Sequence, residues 1–147
     1  MPKPIVMKMI PFTSMAALLL LAGAGCTSVR SSGNDEAKVV ARILARAAPP
    51  MLDFQDRAGA QQLILSLETS EYFDFGLILN AKKQVFASYF RPERISEKEK
   101  FLARVTQSAP SEDSETLVVD HGVAIAMVRV GSKDQTVGYV AIGRRER

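Results

Sequence analysis

From Glu36 onward the apolar residues follow two different spacings. Val39, Val40, Ile43, Leu44 and Ala47 recur every three to four positions, which predicts an amphipathic helix over 36–48 with Arg42 and Arg46 on its polar face. Pro49-Pro50 stops that helix. A second helix starts near Asp53 or Asp56 and runs to about Glu68. Ala60, Leu63, Ile64 and Leu67 form its apolar stripe, and Gln61, Gln62, Ser66 and Glu68 face water. The period then shortens to two. Phe73, Phe75, Leu77 and Leu79 share one face of a strand over 72–79, Asn80-Ala81-Lys82-Lys83 has turn composition, and 84–90 is a second strand. Ser96 and Glu99 read as a capping box opening a helix to about Gln107, with Phe101, Leu102 and Val105 inward. Three further strands, 116–119, 123–130 and 137–142, are joined by Asp120-His121-Gly122 and Gly131-Ser132-Lys133-Asp134-Gln135.

This order predicts an α+β fold: two N-terminal helices, then a five-stranded antiparallel sheet made of a hairpin, a crossover helix and a three-strand meander. Strands this short need one face covered by helices.

The N-terminus has a different pattern. Lys3 and Lys8 precede the apolar run Met15 to Ala22, and the small residues Ala22-Gly23-Ala24-Gly25 lead to Cys26. That is the layout of a secretory signal. The run is shorter than the roughly 20 residues that span a bilayer. Small residues directly before a lone cysteine resemble the lipobox of bacterial lipoproteins, in which the cysteine is acylated and becomes the first mature residue. The Leu usual three positions earlier is Gly23 here, with Leu21 two residues further back. An ordinary signal cut near Ala24 or Gly25, and an uncleaved anchor, stay open as alternatives. The resemblance implies a signal peptide over 1–25, a Ser/Gly-rich tether over 26–35 and a membrane anchor on Cys26. Thr27 is not the Asp that marks inner-membrane retention in enteric lipoproteins, so the expected location is the bacterial envelope, facing the periplasm, on the outer membrane.

Composition narrows the functional classes. The 147 residues carry 19 Lys and Arg against 16 Asp and Glu, one Cys, one His and no Trp. One Cys excludes an intrachain disulfide, and one His with one Cys makes no zinc cage. Removing Lys3 and Lys8 with the signal lowers the net charge of +3 by two, which leaves no case for nucleic-acid binding.

Several segments resemble the PAS/Cache superfamily, and specifically the CHASE-type periplasmic sensor domains in front of bacterial diguanylate cyclases and histidine kinases. The stretch Ala47-Ala48-Pro49-Pro50-Met51-Leu52-Asp53-Phe54-Gln55-Asp56-Arg57-Ala58 resembles their helix junction, and Leu63-Ile64-Leu65-Ser66-Leu67 the helix that follows. Phe75 to Asn80, Val85-Phe86-Ala87-Ser88-Tyr89 and Val137 to Ile142 resemble three of their strands. The resemblance covers about residues 36–143, with 144–147 as a basic tail. It implies a sensor domain that binds a small ligand or a signalling partner. No output module is expected after Ile142, so the expected partner is a separate envelope signalling protein, a cyclase or kinase. A homodimer built on the first helix also suits the family.

The chemistry-bearing residues are few. His121 in Asp120-His121-Gly122 is either a base paired with Asp120 or part of a turn. Asp74 is either a ligand-binding carboxylate or a residue on the solvent face of a half-buried strand. Tyr89 and Arg91 leave the second hairpin strand near the cavity such sensors use, so Tyr72, Asp74, Tyr89 and Arg91 are the candidate ligand contacts. Arg144, Arg145 and Arg147 either touch a phospholipid surface or form a solvated tail. No nucleophile motif, phosphate-cradling loop, metal set or paired carboxylates appear, so no enzyme, cofactor or metal is expected. The alternative to a sensor is a structural or assembly lipoprotein using the same domain for protein–protein contact.

Overall fold

The computed structural model describes residues 33–111, 114–132 and 134–146. Cys26, the signal over 1–25 and the first part of the tether lie outside them.

Helix α1 spans Gly33–Ala47, beginning inside the expected tether. Its inward stripe is Ala37, Ala41, Leu44 and Ala45, with Ala48 just beyond. Of the bulky residues expected there, Leu44 does point inward and Val40 is partly buried, but Val39 is 49% and Ile43 59% exposed. Small side chains let the helix backbone lie close on the sheet, which a Val/Ile stripe would hold off. Pro49-Pro50 does end α1, and its ring-fixed φ then opens a short α2, Pro49–Asp53. Asp56 caps α3, Arg57–Leu65, by accepting from the Gly59 amide at 2.9 Å. A 3₁₀ turn, Ser66–Thr69, leads into the sheet.

Strands β1 (Phe73–Asn80) and β2 (Val85–Phe90) form the expected hairpin. The Asn80 side chain closes its turn, accepting from the amides of Lys82 at 3.0 Å and Gln84 at 2.9 Å. A 3₁₀ segment, Pro92–Glu97, precedes α4, Lys98–Ser108. Ser96 sits inside that 3₁₀ segment and the α4 N-cap is Glu97, so the expected capping box does not form. The meander is β3 (Glu115–Asp120), β4 (Val123–Gly131) and β5 (Thr136–Arg145). Its last strand returns beside the first, giving the antiparallel order β2-β1-β5-β4-β3. The α+β, five-stranded antiparallel architecture is the one the sequence predicts.

Helices cover both faces of this sheet, not one. Ala41, Leu44, Leu52, Ala60, Ile64, Leu67, Ile78 and Ile142 pack in the cluster under α1–α3. Leu77, Leu79, Ile125, Met127 and Ala141 pack on the other face, against Phe101 and Val105 of α4. Phe75 anchors that second cluster, 4.9 Å from Phe101 and 5.4 Å from Phe90 between ring centroids. Its ring lies on Gly143, where a Cβ would collide with it. Likewise, Gly76 admits Leu67 and Ile64 against β1.

Candidate functional site

The β1–β5 pairing slips by one residue between Phe73 and Phe75. That bulge sends Phe73 into the α1–α3 cluster, away from Phe75, Leu77 and Leu79, whose face it was expected to share. The inserted residue is Asp74, and it is completely buried (0% exposed). It does not lie on a solvent face.

A buried carboxylate needs partners, and two arginines supply them. Arg94, from the 3₁₀ segment after the hairpin, donates through Nε to Oδ2 at 3.1 Å. Arg145, at the end of β5, donates through Nη2 to Oδ1 at 2.9 Å. Arg94 also donates through Nη1 to Glu97 Oε1 at 2.8 Å. This Glu97 bond, with the carboxylate of Asp74 behind it, raises the Arg94 pKa, against the opposing effect of burial. The same bond to Arg94 holds the Glu97 carboxyl below its usual range.

Arg91 lies at the same end. Its backbone amide donates to Asp74 O at 2.8 Å, and its guanidinium donates to Phe73 O at 3.3 Å and Ser70 O at 2.6 Å. Tyr72 is half-buried under the Arg144 guanidinium, 5.4 Å from the ring centroid. Arg144 also pairs with Glu36 of α1 at 2.7 Å. Both Arg144 and Arg145 belong to β5 and carry ion pairs, so these two residues of the expected basic tail are part of the sheet; Arg147 lies outside the described residues. Tyr72, Asp74 and Arg91 thus meet at one end of the sheet. Tyr89 does not join them: it faces Gly76 across the hairpin and is buried in the α1–α3 cluster.

His121 and Gly122 have φ of 48° and 71°, the two consecutive positive values of a type I′ hairpin turn. The His121 Nε2 to Asp120 Oδ1 distance is 3.7 Å, beyond a hydrogen bond. The residue is a turn residue.

Three side-chain contacts have no counterpart in the sequence pattern. Arg94 follows the strand-breaking Pro92, and its spacing of three from Glu97 marks a helical ion pair. Gln61 does not face water; its amide grips the outer edge of β2, donating to Ser88 O at 2.9 Å and accepting from Ser88 N at 3.3 Å. Arg42 makes a two-pronged bond to Glu115 of β3, at 2.7 and 2.6 Å. A cleft of about 520 Å³ opens between the C-terminal half of α1 and the end of β4.

Among the described residues no three His, Cys, Asp or Glu side chains gather as a metal site, and no helix is long and apolar enough to cross a membrane. No curated protein matches the chain significantly. A family model does match, over residues 29–142, and it covers every helix and strand described above except the last residues of β5. The chain therefore belongs to the CHASE8 family of periplasmic sensor domains.

Proposed function

We propose that this chain is a lipid-anchored envelope protein whose sensor domain works by binding, without catalysis, either a small ligand or a signalling partner. The observation that carries the sensing role is the family match over residues 29–142. A periplasm-facing location goes with that family. Anchoring rests on the apolar run that ends at Cys26, the only cysteine. Acyl chains contribute about 0.8 kcal/mol per buried CH₂, so two or more give stable anchoring where one gives only reversible binding. At the arginine-rich end, Tyr72 and Arg91 keep some solvent access and are the groups an anionic ligand would meet there.

Two measurements test this. Cys26→Ser should release the protein from membranes and abolish palmitate labelling; retention with unchanged labelling would refute the anchor. A thermal-shift screen of the full chain with small anionic and amphiphilic metabolites should give at least one rise of several degrees. A ligand at a hundred times its Kd adds about 2.7 kcal/mol to folding stability. The second reading, an assembly lipoprotein, is favoured by one observation: Val39, Ile43 and Val119 expose apolar surface with exposures of 49%, 59% and 50%. No shift across the screen, together with one stoichiometric envelope partner, would establish that reading instead.

A further inference from the structure

The cleft between α1 and β4 has a volume of about 520 Å³, within the range of roughly 300–1,000 Å³ typical of small-molecule sites. Its apolar wall comes from Ala45, Pro49 and Val128. Arg129 also lines it, but Val128 and Val130 on either side both pack in the α1 cluster, so strand alternation directs the Arg129 side chain to the other face of the sheet.

Two cations border the cleft, one helical turn apart on α1. They differ in state. Arg42 is held by both oxygens of Glu115, so its charge is matched and its position fixed. Arg46 has no ion-pair partner among the described residues and is exposed. Opposite them the chain turns sharply at Gly131, where φ is 129° and a Cβ would strike Gln135 O. This turn presents Ser132, whose amide is tied to Gln135 O at 3.0 Å while its hydroxyl has no partner among the described residues. The cleft therefore offers an apolar wall, a free guanidinium and a free hydroxyl.

We infer that this cleft binds a small organic anion, a carboxylate or a phosphate monoester with a short apolar body. The acid group pairs with Arg46 and Ser132, and the body lies on Ala45, Pro49 and Val128. The guanidinium fork matches either acid group in two-pronged fashion, which is why the two share a site chemistry. The inference rests on the ligand-binding reading above and gives it a place and a ligand class.

The test is isothermal titration calorimetry on the full chain in neutral-lipid nanodiscs. Hexanoate and butyl phosphate are the probes, with hexanol and inorganic phosphate as controls. At least one probe should bind saturably and more tightly than both controls, the stronger one showing which acid group is preferred, and rising salt should weaken it. Arg46→Ala should weaken binding roughly tenfold or more, the usual effect of losing a charge-assisted hydrogen bond. Arg46→Lys should lose less, and Lys100→Ala on α4 should change nothing. The melting temperature without probe should stay constant in Arg46→Ala, because the side chain is exposed and unpaired. Binding that survives Arg46→Ala, or that is abolished by Arg91→Ala instead, would overturn the cleft while leaving a sensor. Failure of both probes would also overturn it, whereas the sensor reading falls only if the whole metabolite screen is silent.

Discussion

Asp74 and Arg145 are 71 residues apart in the chain and 2.9 Å apart in the fold. Their contact ties the start of the first strand to the end of the last, and Arg94 adds the segment entering α4 to the same carboxylate. Three chain segments thus converge on one buried charge. Removing that charge strands two guanidiniums, one of them largely buried, so Asp74→Ala should lower folding stability by about 3 kcal/mol. Arg145→Ala should cost clearly less, since its side chain is half exposed. Urea denaturation of both variants and the double variant would measure the coupling; equal, additive small losses would show that the clasp carries no weight.

The pH response follows from two other carboxylates. Glu97 and Glu115 are both held below their ordinary range, chiefly by hydrogen bonds from Arg94 and Arg42. A carboxyl whose folded pKa is depressed favours the folded state at pH above its unfolded value, near 4.5, and loses that contribution as pH falls through the folded value. Stability should therefore hold from neutral pH down to about 5 and fall below it. Both pairs are solvent-accessible, so each share is small and salt-sensitive. Glu115→Gln should flatten the acid limb of a plot of denaturation midpoint against pH. An unchanged acid limb would count against the pairing.

The sheet's outer strand gives a local test. Gln61 uses its carbonyl and its amide on the two backbone groups of Ser88 that β1 leaves free. Gln61→Ala should cost about 1 kcal/mol and speed hydrogen exchange at the Ser88 amide. Gln61→Glu keeps the acceptor and loses the donor, so Ser88 O would face a carboxylate. That variant should be the less stable of the two at neutral pH, and a reversed order would argue against the clamp.

What was legible in the sequence was whatever depends on local period. The alternation from Phe75 to Leu79, the Asn80 to Lys83 turn and the Asp120-His121-Gly122 turn all appear where pattern places them. Contacts set by distant parts of the chain were not legible. The bulge at Asp74 depends on β5, and it alone moves Phe73 to the opposite face. Of the four candidate ligand contacts, Tyr72, Asp74 and Arg91 gather at one end because they flank the hairpin opening. Tyr89, two residues before Arg91, is carried into the α1–α3 cluster by strand alternation. Arg94 and Arg145, which hold Asp74, come from segments with no sequence period linking them to it.

The phase of α1 is the clearest case of a weak signal overruling a strong one, and it yields the last prediction. Val39 and Ile43 carry more apolar surface than any alanine, so periodicity weighs them first. The sheet takes Leu44 from that stripe but otherwise Ala37, Ala41 and Ala45, small side chains that let helix and strands approach closely. Ala41 is fully buried while Ile43, two residues on, is 59% exposed. Ala41→Leu should therefore overpack the interface and cost about 1–3 kcal/mol. Ile43→Lys should stay within about 0.5 kcal/mol, as surface substitutions do. If the stripe read from the sequence were the buried one, the order would invert: Ile43→Lys would unfold the domain and Ala41→Leu would be tolerated. Denaturation midpoints of the two variants decide between these phases in one experiment.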